Sequence, residues 1–166
     1  MDKQLTEVTM QAYKVENTKN FMTSLLVGEM FDDFLLEEAY IKTYNSFNID
    51  GRIIPEFYDD YEFGYEFSSW KDSKHLCFDL IKGKQLPVSF HFILQLKPEN
   101  INKLLSDNAS TVSSDCVKSL TLNIKYGNGE ITIVTASSMN SFTLDKSADK
   151  IWDEHIRYFL KDFISQ

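Results

Sequence analysis

Cysteine occurs only twice in the 166 residues, as Cys77 and Cys116, so neither a disulfide framework nor a four-thiolate metal site can be built. Three prolines and six glycines exclude collagen-like and linker-like chains. Uninterrupted apolar runs are a few residues long, far short of the ~20 needed for a membrane-spanning helix. Residues Met1 to Met10 hold no basic stretch leading into an apolar run, so no signal peptide is expected and the expected location is the cytoplasm. Basic residues are scarce too: 17 Lys and Arg stand against 25 Asp and Glu, a formal net charge of −8. A surface of that sign repels phosphate backbones, which argues against direct nucleic-acid binding. Gly-x-Gly-x-x-Gly, Gly-Lys-Ser/Thr, Gly-x-Ser-x-Gly and His-Glu-x-x-His are all missing, which lowers the expectation of an enzyme. Gly83-Lys84 follows an expected helix and reads as its end, not as a phosphate cradle.

Apolar bulk is what the chain does have. Hydrophobic residues make up 43% and aromatics 14%, enough to fill the core of one domain, so wholesale disorder is excluded and residues 1–166 are expected to form a single domain with a loose end at 1–7. The charge is unevenly placed. Between Glu29 and Glu66 there are eleven acids and only Lys42 and Arg52 as bases, while the rest of the chain is close to neutral.

Periodicity supplies the elements. Val8, Met10, Ala12 and Val15 alternate weakly, as an edge strand does. Asn17 or Thr18 caps a helix whose buried stripe is Phe21, Met22, Leu25 and Leu26, with Gly28 as a left-handed stop. Phe34 to Thr43 fits a strand with a bulge, although Met30, Phe31, Phe34 and Leu35 fit the start of another helical turn equally; the β-rich Ile41 to Ile49 favours strand, with a tight turn at Asp50-Gly51. Phe57 to Trp70 holds seven aromatics, and Tyr61, Phe63, Tyr65 and Phe67 alternate as in a strand. Asp72 or Ser73 caps a second helix with Leu76, Cys77, Leu80 and Ile81 inward. Leu86 to Leu96 is a strand with six alternate apolar residues on one face. Pro98 suits the first turn of a short helix carrying Ile101, Leu104 and Leu105. Leu120 to Tyr126 and Ile131 to Thr135 form a hairpin about Asn128-Gly129. Phe142 and Leu144 suggest a short strand. Ser147 caps a last amphipathic helix bearing Trp152, Ile156, Phe159, Leu160 and Phe163. Strands and about four helices without a regular βαβα beat define an α+β class with a mainly antiparallel sheet.

Candidate chemistry is sparse. His91 falls on the polar face of its strand and His155 beside an apolar helical stripe. His75 and Cys77 stand two apart on a helix, roughly 200° around its axis, and cannot clasp one metal. Neither a metal nor a cofactor is therefore expected. The acids Glu56, Asp59, Asp60 and Glu62 lack the ligand spacing of a calcium loop and read as a solvated face. The anomaly is that these acids lie among aromatics. An exposed aromatic gives contact area at low entropy cost, so Glu56, Tyr58, Asp59, Asp60 and Tyr61 are the candidate binding residues. The alternative is that the same rings fill the core.

Phe21-Met22-x-x-Leu25-Leu26-x-Gly28-Glu29-x-Phe31-Asp32-x-Phe34-Leu35-Leu36 and Phe47-x-Ile49-Asp50-Gly51-Arg52 are two distinctive blocks. With Cys77-Phe78-Asp79-Leu80-Ile81-Lys82-Gly83 and Phe142-Thr143-Leu144-Asp145-Lys146, they resemble an uncharacterised bacterial family of anaerobic Firmicutes, mostly clostridia. The resemblance implies no activity and transfers no functional residue. In order of elements the chain is also similar to one domain of a DNA sliding clamp, although its first and third helices offer only Lys19 and Lys103 as basic lining. The expected function is non-catalytic binding of a protein partner through the acidic-aromatic segment around 56–70. A small-molecule hydrolase using carboxylates of that segment, and a clamp-like nucleic-acid scaffold, are the alternatives.

Overall fold

The computed structural model describes residues 11–58 and 64–165. Expectations for 1–7, for Val8 and Met10, and for Asp59 to Phe63 lie outside those residues. The described chain is a seven-stranded antiparallel sheet with four helices, and the α+β expectation holds. In chain order the elements are β1 (Ala12–Lys14), α1 (Thr18–Leu26), β2 (Phe34–Lys42), β3 (Ser46–Asp50), β4 (Ser68–Ser69), α2 (Trp70–Ile81), β5 (Ser89–Leu96), α3 (Pro98–Asp107), β6 (Val117–Gly127), β7 (Glu130–Met139) and α4 (Ser147–Phe159). The strands lie in the order β1-β7-β6-β5-β2-β3, and β4 pairs β2 beyond the end of β3.

Alternation decides which face is buried, because successive strand side chains point to opposite sides. Ala39 and Ile41 of β2, Phe90, Phe92 and Leu94 of β5, Leu122 and Ile124 of β6 and Ile131 and Ile133 of β7 make one dry face. The helices cover it. Trp70 of α2 packs on Phe92 at 5.2 Å between ring centres, and Trp152 of α4 packs on Phe34 at 6.4 Å. Both indole N–H groups are satisfied inside the core: Trp70 donates to the Leu25 carbonyl at 2.9 Å, and Trp152 to that of Thr121 at 3.1 Å. Lys74 of α2 ties the approach to β2 by donating to both the Gly28 carbonyl and Asp32, each at 2.6 Å.

Local chemistry explains most boundaries. Asn17 accepts from the Asn20 amide and starts α1. Pro98 opens α3, where its missing N–H costs nothing. Asn128 and Gly129 both have positive φ, 53° and 79°, as the two-residue hairpin between β6 and β7 demands.

Several expectations are corrected. Gly28 does not take a left-handed conformation, and α1 ends with the Val27 and Gly28 amides both donating to the Thr23 carbonyl. Asp50-Gly51 is not a turn. It ends β3, and the β2–β3 reversal falls earlier, between Lys42 and Ser46. Gly51 lies so close to β2 that a Cβ there would sit 2.7 Å from the Leu36 carbonyl carbon and nearer still to its oxygen. Tyr65 and Phe67 belong to no strand; pairing is confined to Ser68–Ser69 and an Arg52–Phe67 bridge. Helix α2 begins at Trp70, capped by Ser69 and not by Asp72 or Ser73, and its buried face is Trp70, Cys77 and Ile81, with Leu76 exposed. Leu86 and Val88 lie before β5 and are exposed, as are Phe142 and Leu144, which form no strand.

Candidate functional site

All four helices lie on one side of the sheet, and no described helix covers the other. That second face carries Tyr40 and Lys42 of β2, His91, Ile93 and Gln95 of β5, Asn123 and Lys125 of β6 and Thr132 and Val134 of β7. Polar and half-buried, it is the kind of face an antiparallel sheet can leave to water. His91 Nε2 and Asn123 Oδ1 are 3.0 Å apart across the β5–β6 ladder, and the His91 ring stacks on Tyr40 at 5.9 Å. Leu35 and Phe67 are the apolar exceptions, buried yet outside the main core.

One end of this face sinks into a groove of about 510 Å³, lined by residues that include Glu37, Glu38, Asp50, Glu66, Arg52 and Lys118. A register shift between Leu36 and Glu38 makes Glu37 the extra residue of a bulge in β2. Regular pleating would send Glu37 and Glu38 to opposite faces, and the bulge lets both line the groove. Gly51 completes the arrangement by donating its N–H to the Glu37 carbonyl at 2.9 Å. The Glu37 carboxylate accepts from the Gln95 amide, and Asp50 accepts from the Arg52 amide at 3.0 Å. Glu38 accepts from the Tyr40 phenol, which is the main reason the Tyr40 pKa is raised. Arg52 meets Glu66 at 2.5 Å and lies over the Phe67 ring at 5.3 Å. That ion pair is exposed on both sides and contributes little to stability.

The candidate residues of the acidic-aromatic segment divide. Glu56 and Phe57 lie in a short 3-10 turn, Pro55–Phe57, that ends at Tyr58; Phe57 is 82% exposed and Tyr58 45%. Phe67 and Trp70 are core or near-core rings instead. Asp59, Asp60 and Tyr61 lie outside the described residues. Tyr65 donates to Glu99, and that hydrogen bond holds the Glu99 carboxyl below its usual range. Glu37, Glu38, Gln95 and Lys118 were missed as site residues because the sheet assembles them from distant strands. Their one signal in the sequence is the acidic window, which supplies Glu37, Glu38, Asp50 and Glu66.

A second concavity of about 440 Å³ lies between α3 and α4, with Asp33, Asn100, Lys103, Asp107 and His155 in its wall. Burial lowers the His155 pKa, and its ring stacks between Trp152 and Phe159, at 6.0 and 6.4 Å. Cys77 is fully buried, which pushes its thiol up to about 12, whereas Cys116 is exposed. Among the described residues no three His, Cys, Asp or Glu side chains gather as a metal site, and no described helix is long and apolar enough to cross a membrane.

The fold is α+β, and the family model that matches covers residues 24–164 and carries no assigned activity. The chain belongs to that family, the Family of unknown function (DUF5721). No curated protein and no solved structure matches it.

Proposed function

We propose that the protein is a non-catalytic, cytoplasmic binding protein whose partner presents positive charge to the groove on the open sheet face. The observation that supports this reading most is the imbalance in the groove, where Glu37, Glu38, Asp50 and Glu66 face only Arg52 and Lys118. Neutral donors hold three of these carboxylates: Gln95, the Tyr40 phenol and the Arg52 amide. They orient the charge without cancelling it, and a pre-oriented carboxylate loses less freedom when an ammonium or guanidinium arrives. Glu56, Tyr58, Asp59, Asp60 and Tyr61 are proposed to contribute to the same binding. A role in an anaerobic Firmicute is part of the same proposal.

Titration with fluorescent oligolysine and oligoglutamate peptides tests it. Oligolysine should bind and oligoglutamate should not. Each exposed charge pair contributes ~0.2–1 kcal/mol, so Glu38→Gln with Glu66→Gln should weaken binding by about 2- to 30-fold. Tyr58→Ser with Tyr61→Ser should weaken it without changing the melting temperature. Equal affinity for both peptides would sink the reading, and a large fall in melting temperature would return those tyrosines to the core.

A further inference from the structure

From the hollow between α3 and α4 we infer a second, small-molecule site, one that takes a free α-amino acid with an aromatic side chain. The inference stands apart from the groove reading, since the hollow lies on the helical side of the sheet and shares no residue with the groove.

Helical spacing builds its walls. Asn100, Lys103, Leu104 and Asp107 recur at i, i+3, i+4 and i+7 on α3 and so form one stripe of that helix. His155 and Phe159, one turn apart on α4, make the facing wall. Between them lies a floor from the ends of β2 and β5, where Phe34 pairs with Leu96 in the ladder. The rings of His155, Phe159 and Phe34 follow one another at 6.4 and 5.9 Å. A flat apolar side chain laid against them gains both buried area and ring contacts. At about 440 Å³ the hollow is of the size that small-molecule sites have.

The charges select the ligand's other end. Lys103 and Asp107 stand one turn apart on one helical face, a spacing at which opposite charges can meet, yet among the described residues they form no ion pair. Asp33, on the segment leading into β2, has no ion pair either. Asp107 is also the last residue of α3, and the last turn of that helix carries no basic side chain. A carboxylate there sits at the negative end of the helix dipole, where a cation is the favoured charge. An arriving ammonium relieves that position and finds Asp33 in the same hollow, while Lys103 is left for a carboxylate. An α-amino acid carries both groups on one carbon and can satisfy the two charges of the α3 stripe together. Two acids against one lysine repel phosphates and other polyanions. His155 adds no second cation, because burial favours its neutral form.

Amide NMR spectra of the full chain, titrated separately with phenylalanine, tyrosine and tryptophan, test the inference. At least one should shift resonances of α3 and α4 around Lys103 and His155, saturating with a Kd below about 1 mM. For that amino acid, the amine lacking its carboxylate and the acid lacking its ammonium should each bind at least about tenfold more weakly, and glycine should not bind. Asp107→Asn should weaken the amino acid and the amine at least about fivefold and leave the acid unchanged; Lys103→Met should weaken the amino acid and the acid and leave the amine unchanged. Both positions are exposed, so both variants should melt like wild type, and the analogue series needs no variant at all. Absence of saturable shifts with all three amino acids overturns the inference, as do shifts that fall away from α3 and α4. So does an amine, an acid or glycine that binds wild type as tightly as the amino acid, or a folded Asp107→Asn variant that binds all of them as wild type does.

Discussion

Replacing Gly51 by alanine tests how the groove is built. The added Cβ would lie 2.7 Å from the Leu36 carbonyl carbon and closer to its oxygen, and these are backbone atoms of β2, paired to β4 on one side and β5 on the other, that cannot swing aside. Relief requires β3 and the following segment to draw back. That movement breaks the Gly51 N–H bond to the Glu37 carbonyl, 2.9 Å, and the Ser68 N–H bond to the Gly51 carbonyl, 2.8 Å. Overpacking costs ~1–3 kcal/mol and each lost backbone bond about 1 kcal/mol, for a total of roughly 3–5 kcal/mol. Domains of this size are stable by ~5–15 kcal/mol and lose ~2–4 °C in Tm per kcal/mol, so Gly51→Ala should melt roughly 6–20 °C below wild type. Gly64→Ala is the control, since a Cβ there meets nothing within 4 Å. Thermal melts followed by far-UV circular dichroism would read both. If Gly51→Ala melts within about 2 °C of Gly64→Ala, the close approach of β3 to the β2 bulge is wrong.

Thiol reactivity should separate the two cysteines. One equivalent of a chromogenic disulfide should react in native protein at pH 8, at exposed Cys116, and two in denaturant, because burial raises the Cys77 thiol to about 12; two fast thiols in native protein would contradict the packing of α2. His155 should titrate below the ordinary 6.5 when followed by its NMR resonance, because burial disfavours the imidazolium. Its folded pKa is depressed, so at mildly acidic pH the unfolded chain takes up a proton that the folded one refuses. The associated stability is full above 6.5 and is lost as pH falls through the folded pKa; stability that rises on acidification across that window would refute the assignment. Lys74→Met should cost about 2–4 kcal/mol in urea melts, since it strands Asp32, whose side chain is only 17% exposed; a loss under about 0.5 kcal/mol would show that the pair is effectively solvated.

Elements whose signals are local were legible in the sequence. The Asn128-Gly129 hairpin needs positive φ at two adjacent residues, and those two residue types accept it. The stripe beginning with Trp152 and Ile156 fixed the buried face of α4, and Asn17 and Pro98 marked the starts of α1 and α3. Misreadings arose where a local pattern met a constraint from elsewhere in the fold. Leu86 and Val88 continue the alternation of β5, but β2 ends at Lys42, opposite Ser89, so they have no ladder to join. Asp50-Gly51 has the composition of a turn, whereas the glycine is needed for its close approach to the Leu36 carbonyl of β2. The groove follows the same logic. Its acids were visible as an excess between Glu29 and Glu66, but their meeting with Gln95 and Lys118 depends on the order of strands β2, β5 and β6. The attention drawn to Glu56 and Tyr58 came from density of aromatics in the chain, and density along a chain does not separate Phe57, at 82% exposed, from Trp70, at 0%.

The most direct test of the open sheet face as the interaction surface is a pair of amide NMR spectra of the full chain, one without and one with excess oligolysine. Shifts should concentrate on β2, β3 and β5 around Glu37, Glu38, Asp50 and Gln95, which line the groove, and leave the helices α1 to α4 unmoved. Spectra that superimpose, or shifts gathered on the helical face, would contradict it.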